Sequence, residues 1–136
     1  MFFQSKIIVV VKNDLQQWQK LNVVAFLMSG VMIDHPELKG EPYVDSVGNE
    51  FSQMAKQPVF VYGGSATELD KVSNRALRRG VKTSAYIEQM FSTGHDEENR
   101  QVFSEHGPDE GNLVGIGFYC DSKEADKLVK GIKRHS

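Results

Sequence analysis

Residues 9 to 30 read VVVKNDLQQWQKLNVVAFLMSG, and they decide the fold class: a β-branched run passes through a short polar connector into a long apolar stretch. Lys6 to Val11 is almost continuously apolar and is bounded by Lys12-Asn13-Asp14, the pattern of a strand covered on both faces. Beyond the connector, Leu21, Val24, Ala25, Met28 and Met32 recur at helical spacing. That spacing predicts a helix over residues 16 to 33 with this stripe against a sheet. A strand feeding a helix opens a βαβ unit, and ligands of α/β proteins collect at the carboxyl ends of such strands. Asp14 and Lys20 stand at this junction, which has no glycine.

The alternation continues along the chain. Pro58 to Tyr62 reads as a second strand, closed by Gly63-Gly64, and Ser65 with Glu68 three residues later is a capping-box signature. Leu69, Val72, Ala76 and Leu77 continue a second helix that Gly80 can end in a left-handed cap. Val81 to Ile87 is a third strand whose end, Ile87 to Phe91, can already turn helical. Asn112 to Tyr119 is a fourth strand, and Gly115 and Gly117 leave one of its faces bare for the close approach of a helix or a ligand. Asp121 or Ser122 then caps a last helix bearing Ala125, Leu128, Val129 and Ile132. Two polar stretches interrupt the pattern. Residues 35–57, rich in proline and glycine, read as a surface excursion with a small hairpin at Gly48-Asn49; residues 94–111 are acidic and hold a short helix over Glu97 to Phe103. One domain over residues 1–136 is expected, a three-layer α/β/α sandwich around a small, mixed but mostly parallel four-stranded sheet.

Composition narrows the function classes. With 136 residues and 40% hydrophobic content, one core suffices. Sixteen basic against eighteen acidic residues leave a net charge of −2, so no overall field draws nucleic acid or anionic lipid. Two basic clusters, Arg75-Arg78-Arg79-Lys82 and Lys123 to Arg134, suit helix C-termini; nucleic-acid binding would require them to converge on one surface. The single Cys120 can form no internal disulfide and no thiolate metal site by itself. The apolar stretch near the N-terminus is too short to span a membrane and follows no basic leader, so a cytoplasmic protein is expected. His95, Asp96, Glu97 and Glu98 lack the spacing of a helical zinc signature, and Gly63-Gly64-Ser65 lacks a nucleotide-binding pattern. Neither a metal nor a cofactor is expected.

The stretches KIIVVVKNDL, LNVVAFLMSG, YVDSVGNEF, PVFVYGGSATELDKV, YIEQMFSTG and LVGIGFYCDSKEADKLVKGIK, in that order, resemble an uncharacterised family of domains of unknown function, numbered two thousand, grouped with the type II peptidyl-tRNA hydrolase fold. The resemblance implies a four-stranded mixed sheet between helices and a homodimer. The hydrolases carry roughly K-x-x-A-Q-x-x-H-A on the first helix, and here its lysine, glutamine and histidine positions fall on Leu21, Ala25 and Met28. Glu88 with Ser92 or Thr93 would serve the later acidic and threonine positions. Ester hydrolysis must activate water and steady an oxyanion, and an apolar helix supplies neither. Peptidyl-tRNA hydrolysis is therefore not expected, and whether the protein is an enzyme at all is left open.

The candidate ligand-binding residues are Asp14, Lys20, Asn22 and Ser84, around the first strand-helix junction. Asn22 is the polar residue left on the first helix, and the resemblance includes an asparagine there; its amide either orients a ligand or tethers backbone. Asp14 is either an acid/base group or a turn residue and N-cap. Three readings follow: a small-ligand binder, a divergent ester or amide hydrolase, and a non-catalytic dimeric interaction module using exposed Phe2, Phe3 or Trp18.

Overall fold

β1 (Ser5–Lys12) is the strand around which the rest assembles in the computed structural model, which describes residues 3–136. It is followed by α1 (Gln17–Asp34), the hairpin strands β2 (Tyr43–Val44) and β3 (Glu50–Phe51), β4 (Val59–Gly64), α2 (Ala66–Arg78), β5 (Ser84–Ile87), α3 (Asp96–Ser104), β6 (Leu113–Asp121), α4 (Ser122–Leu128) and β7 (Lys133–Arg134). Successive residues of β1 point to opposite faces, and both faces are covered. Ile8 and Val10 join Leu69, Val72, Phe118 and Leu128 beneath α2 and α4, while Val9 and Val11 join Val23, Leu27 and Tyr86 beneath α1. The apolar run of β1 is thus the midplane of three layers.

The main sheet has five strands in the order β5-β6-β1-β4-β7, not the four expected. Nor is it mostly parallel. Only β1 and β4 run parallel, with Ile7 opposite Val59; β6 lies antiparallel to β1, β5 to β6 and β7 to β4. The polar stretch after β5 brings the chain back beside the same strand rather than across a face of the sheet, and such a return leaves neighbours antiparallel. The fifth strand exists because α4 stops at Leu128 instead of running on to Ile132. Gly131, at φ 85°, takes the left-handed turn that sends Lys133 and Arg134 back along Gly63 and Tyr62.

The face that α1 buries also differs from expectation. Val23, Leu27 and Val31 are buried against the sheet, whereas Leu21 and Ala25 face outward. The bare face of β6 decides the rotation: a Cβ on Gly115 would stand 2.4 Å from Val23 Cγ1 and 2.8 Å from Leu27 Cδ1, so α1 settles into the space these glycines leave. α2 begins as its sequence predicts, with Glu68 N–H donating to Ser65 Oγ (3.2 Å) and Ser65 N–H to Glu68 Oε1 (3.0 Å). Gly80 follows its end at φ 68°. The excursion after α1 is anchored by buried Leu38 against Ile7 and Val31, then leaves the body as the β2–β3 hairpin, in which every residue from 41 to 54 is exposed. Phe3 is half-buried rather than exposed, and its carbonyl accepts from Ser122 Oγ; Phe2 lies outside the described residues. Among the described residues no helix is long and apolar enough to cross a membrane.

Candidate functional site

Trp18, Asn22 and Phe26 sit one turn apart on α1 and form one wall of a cleft of about 370 Å³. Tyr86 of β5 forms its floor, and the chain after β5, from Met90 to Asn99, forms the opposite wall. The aromatic rings make a continuous chain. Trp18 meets Phe91 edge-on at 6.1 Å between centroids, Phe91 lies 5.2 Å from Tyr86, and Tyr86 lies 5.8 Å from Phe26. Trp18 and Phe26 are nevertheless 58% and 52% exposed, so they present faces to the cleft that no described part of the chain covers.

Asn22 is half-buried at the centre of this wall. Its amide shares this cleft with Tyr86, whose phenol it favours in the ionised form. Burial pushes the Tyr86 phenol above its ordinary value, and the neighbouring amide only partly offsets this. The hydroxyl therefore stays protonated, and an amide and a phenol face the cleft as neutral hydrogen-bonding groups.

The remaining polar groups of the cleft are engaged in building its rim. His95 is the N-cap of α3: its Nδ1 accepts from the Glu98 N–H at 3.3 Å, and its Nε2 lies 3.2 Å from the Glu98 carboxylate. Thr93 Oγ1 donates to the Met90 carbonyl (2.9 Å) and also bonds the Asn99 side chain. Asp96 pairs with Arg100 at 2.5 Å. The three acidic residues of the first turn, Asp96 to Glu98, suit a helix N-terminus without a metal. Among the described residues no three His, Cys, Asp or Glu side chains converge.

Of the four residues the sequence singles out, only Asn22 lines this cleft. Asp14 is exposed in the β1–α1 connector, 3.6 Å from Lys12 Nζ, and the residue at the α1 N-cap is Gln16. Lys20 is two residues from Asn22, about 200° around the helix, and its ammonium lies 3.1 Å from His135 Nε2 near the C-terminus. Ser84 lies beneath α1, donating to the Leu27 carbonyl at 2.8 Å, in a space kept open by Gly30. The four do not converge. Trp18 stands in the sequence reading only as an exposed residue of a contact surface, and it is 58% exposed; Phe26, Tyr86 and Phe91 escaped that reading because an aromatic residue fits an apolar helix or strand equally well.

A second cleft of about 310 Å³ lies on the other side of β5, under residues 106–113. Its polar groups satisfy one another. Asn74 donates to Asp109 (2.5 Å), Gly111 N–H to Asp70 (3.0 Å) and Asn112 to Gln89 (3.3 Å). Burial, then Glu124, Asp121 and Asp126, push the thiol of Cys120, at the end of β6, to about 11, which keeps it protonated at neutral pH.

The family described as "Protein of unknown function (DUF2000)" matches residues 5–136. The chain belongs to this family. Seven chains of solved structures are similar to it. One, from Agrobacterium tumefaciens and itself described as a protein of unknown function, is 47% identical, has a TM-score of 0.96, and pairs 99% of this chain with 100% of its own. No curated protein matches the chain.

Proposed function

We propose that this member of the family binds a small, uncharged molecule with a flat apolar part in the cleft of Trp18, Asn22 and Phe26. The observation that carries the reading is the aromatic–amide–aromatic row on α1, half exposed, in front of a buried phenol. The rings offer stacking faces, and Asn22 with the Tyr86 hydroxyl offers one donor-acceptor edge that fixes orientation. Binding is favoured over catalysis because the titratable groups at the rim, His95, Asp96 and Glu98, are engaged as a cap and ion pairs. Among the described residues no nucleophile-base pair faces the space. The likeness to the type II peptidyl-tRNA hydrolase fold belongs to the same reading, and on it Leu21, Ala25 and Met28 leave the helix without hydrolytic groups. So do a cytoplasmic location and a homodimer.

Trp18 is the chain's one tryptophan, so its emission reports on the cleft directly. A library of neutral aromatic and heteroaromatic amides should contain compounds that shift or quench that emission saturably. Asn22→Leu should weaken them about tenfold to a hundredfold, the cost of leaving a ligand's polar edge unpaired. Absence of any saturable change across such a library, with native mass spectrometry of the purified protein also finding no bound molecule, removes the reading.

A further inference from the structure

Arg75, Arg78 and Arg79 at the end of α2, with Lys127 and Lys130 at the end of α4, line an open concavity of about 550 Å³ in which every lining residue is basic. A cation suits the end of its own helix, where it meets the negative end of the dipole. Yet Arg75 stands three and four residues before Arg78 and Arg79, spacings at which like charges on a helix repel, and α4 adds two more cations opposite them. The two helix ends together therefore gather positive charge that an anion would relieve. We propose that this concavity binds a compact chain of linked phosphates, either a free oligophosphate or the phosphate tail of a nucleotide.

Arg75 prepares the site. Its Nη1 donates to the carbonyls of Leu128 (3.1 Å) and Lys130 (3.0 Å), groups at the end of α4 whose oxygens would otherwise repel an anion. Carbonyls bear no net charge, so the guanidinium is held in place and keeps its positive charge. A planar donor fork that is already ordered loses little freedom when it meets a phosphate. Arg79 is offset by Glu124 at 2.9 Å. Arg78, Lys127 and Lys130 are exposed, and none of them makes an ion pair among the described residues. The volume falls within the range of about 300–1,000 Å³ that small-molecule sites occupy.

The remaining basic residues of the two sequence clusters do not extend the charge into a track. Lys82 turns to Asp34 at 3.3 Å, Lys123 lies in a separate concavity with Asp121 and Asp126, and the Arg134 guanidinium sits 4.6 Å from the centroid of the Phe60 ring. A single-stranded nucleic acid is held by a continuous basic groove with aromatic faces on which its bases stack. No aromatic residue lines the concavity. Compact charge without a stacking face fits a compact anion recognised through its phosphates alone. The site lies on the sheet face covered by α2 and α4, opposite α1, and so stands independently of the cleft of Trp18.

Titration calorimetry of the full chain with inorganic tripolyphosphate, at about 0.15 M ionic strength, tests it. One tripolyphosphate should bind per chain, about tenfold or more tightly than orthophosphate, because a longer chain meets more of the cations at once. Arg78→Gln with Lys127→Gln should weaken it about tenfold or more. Both positions are exposed, and thermal melts unchanged from the wild type would confirm that the variant folds. Lys39→Gln removes a charge from an exposed position outside the concavity and should leave binding within about twofold. Adenosine triphosphate should bind no more tightly than tripolyphosphate, since nothing in the concavity stacks on a base. No binding of tripolyphosphate overturns the site, and so does a loss on Lys39→Gln equal to that of the concavity variant, which would make the attraction general. A markedly tighter nucleotide, or a mixed-sequence RNA oligonucleotide that displaces tripolyphosphate at lower phosphate concentration, overturns recognition through a compact phosphate chain. Each of these results leaves the cleft of Trp18 standing.

Discussion

Val23 Cγ1 lies 2.4 Å from the point where a Cβ on Gly115 would stand, closer than any real pair of carbons tolerates. Valine is stiff at χ1, so neither partner can turn aside, and α1 would have to lift from β6. Gly115→Ala should cost about 1–3 kcal/mol, the range of overpacked cores. At Gly117 the nearest atom is Leu27 Cβ at 3.3 Å, so Gly117→Ala should cost visibly less. Urea unfolding of the two variants checks the order, and an equal loss would mean that α1 does not sit as described.

Arg75 reaches from α2 to the end of α4, its Nη1 donating to the carbonyls of Leu128 (3.1 Å) and Lys130 (3.0 Å). It completes the short helix from outside and favours the turn at Gly131 that sends the chain into β7. Arg75→Ala should cost about 1.5–3 kcal/mol, as loss of charged hydrogen bonds does. Arg78→Ala, at an exposed position nearby, should stay within about 0.5 kcal/mol. Thermal melts of both variants separate a capping role from a mere share in the basic surface. That surface is real: Arg75, Arg78, Arg79, Lys127 and Lys130 line one concavity, so the two sequence clusters do converge in part. Arg75 and Arg79 are nevertheless spent within the chain, the latter on Glu124 at 2.9 Å.

The elements were legible where local chemistry is unambiguous. Ser65 and Glu68 announce α2, the apolar run of β1 announces a strand buried on both faces, and Gly48-Asn49 announces the hairpin. The orientation of α1 was not legible, because Leu21, Val24, Ala25 and Met28 are as apolar as Val23, Leu27 and Val31; periodicity selects a face only when the other face is polar. The selection is made by β6, some ninety residues away, through Gly115 and Gly117. β7 escaped for a similar reason, since Ile132 continues the spacing of Ala125 and Leu128 and only Gly131 interrupts it. Of the candidate site, Asn22 was legible as a lone amide on an apolar helix. Trp18 was legible as an exposed aromatic but not as a cleft wall, and Phe26, Tyr86 and Phe91 were not legible, because an aromatic residue in a sequence does not say whether its face is covered.

Asp70 accepts from the Gly111 N–H, yet its carboxyl lies above its ordinary value because burial, and then the charge of Asp109, oppose ionisation. A carboxyl raised in the folded state stabilises fully below its unfolded value, 3.8, and that contribution is lost as pH rises through the folded value. At neutral pH the ionised Asp70 is therefore a small liability. Asp70→Asn keeps an acceptor for Gly111 and removes the charge, so its melting temperature should equal or exceed that of the wild type at pH 7. The difference should shrink toward pH 3; a variant clearly less stable at pH 7 would mean that the charge itself is needed.

Cys120 makes the matching prediction at alkaline pH. Its thiol is held at about 11 against an ordinary 9.0, by burial first and by Glu124, Asp121 and Asp126 after it. Below pH 9 both folded and unfolded chains hold the proton and nothing changes. Between pH 9 and about 11 only the unfolded chain releases it, so stability falls across that window. Cys120→Ala should flatten this part of the stability–pH curve, leaving a residual slope above pH 10 from the Tyr86 phenol, which burial also raises. The same shift should slow reaction with a disulfide reagent at pH 8 by about a hundredfold relative to a free thiol, since the thiolate is the attacking species. Rapid labelling at pH 8 in the native protein, with an alkaline slope unchanged by the substitution, would show that burial and the neighbouring carboxylates do not act on the sulfur as described.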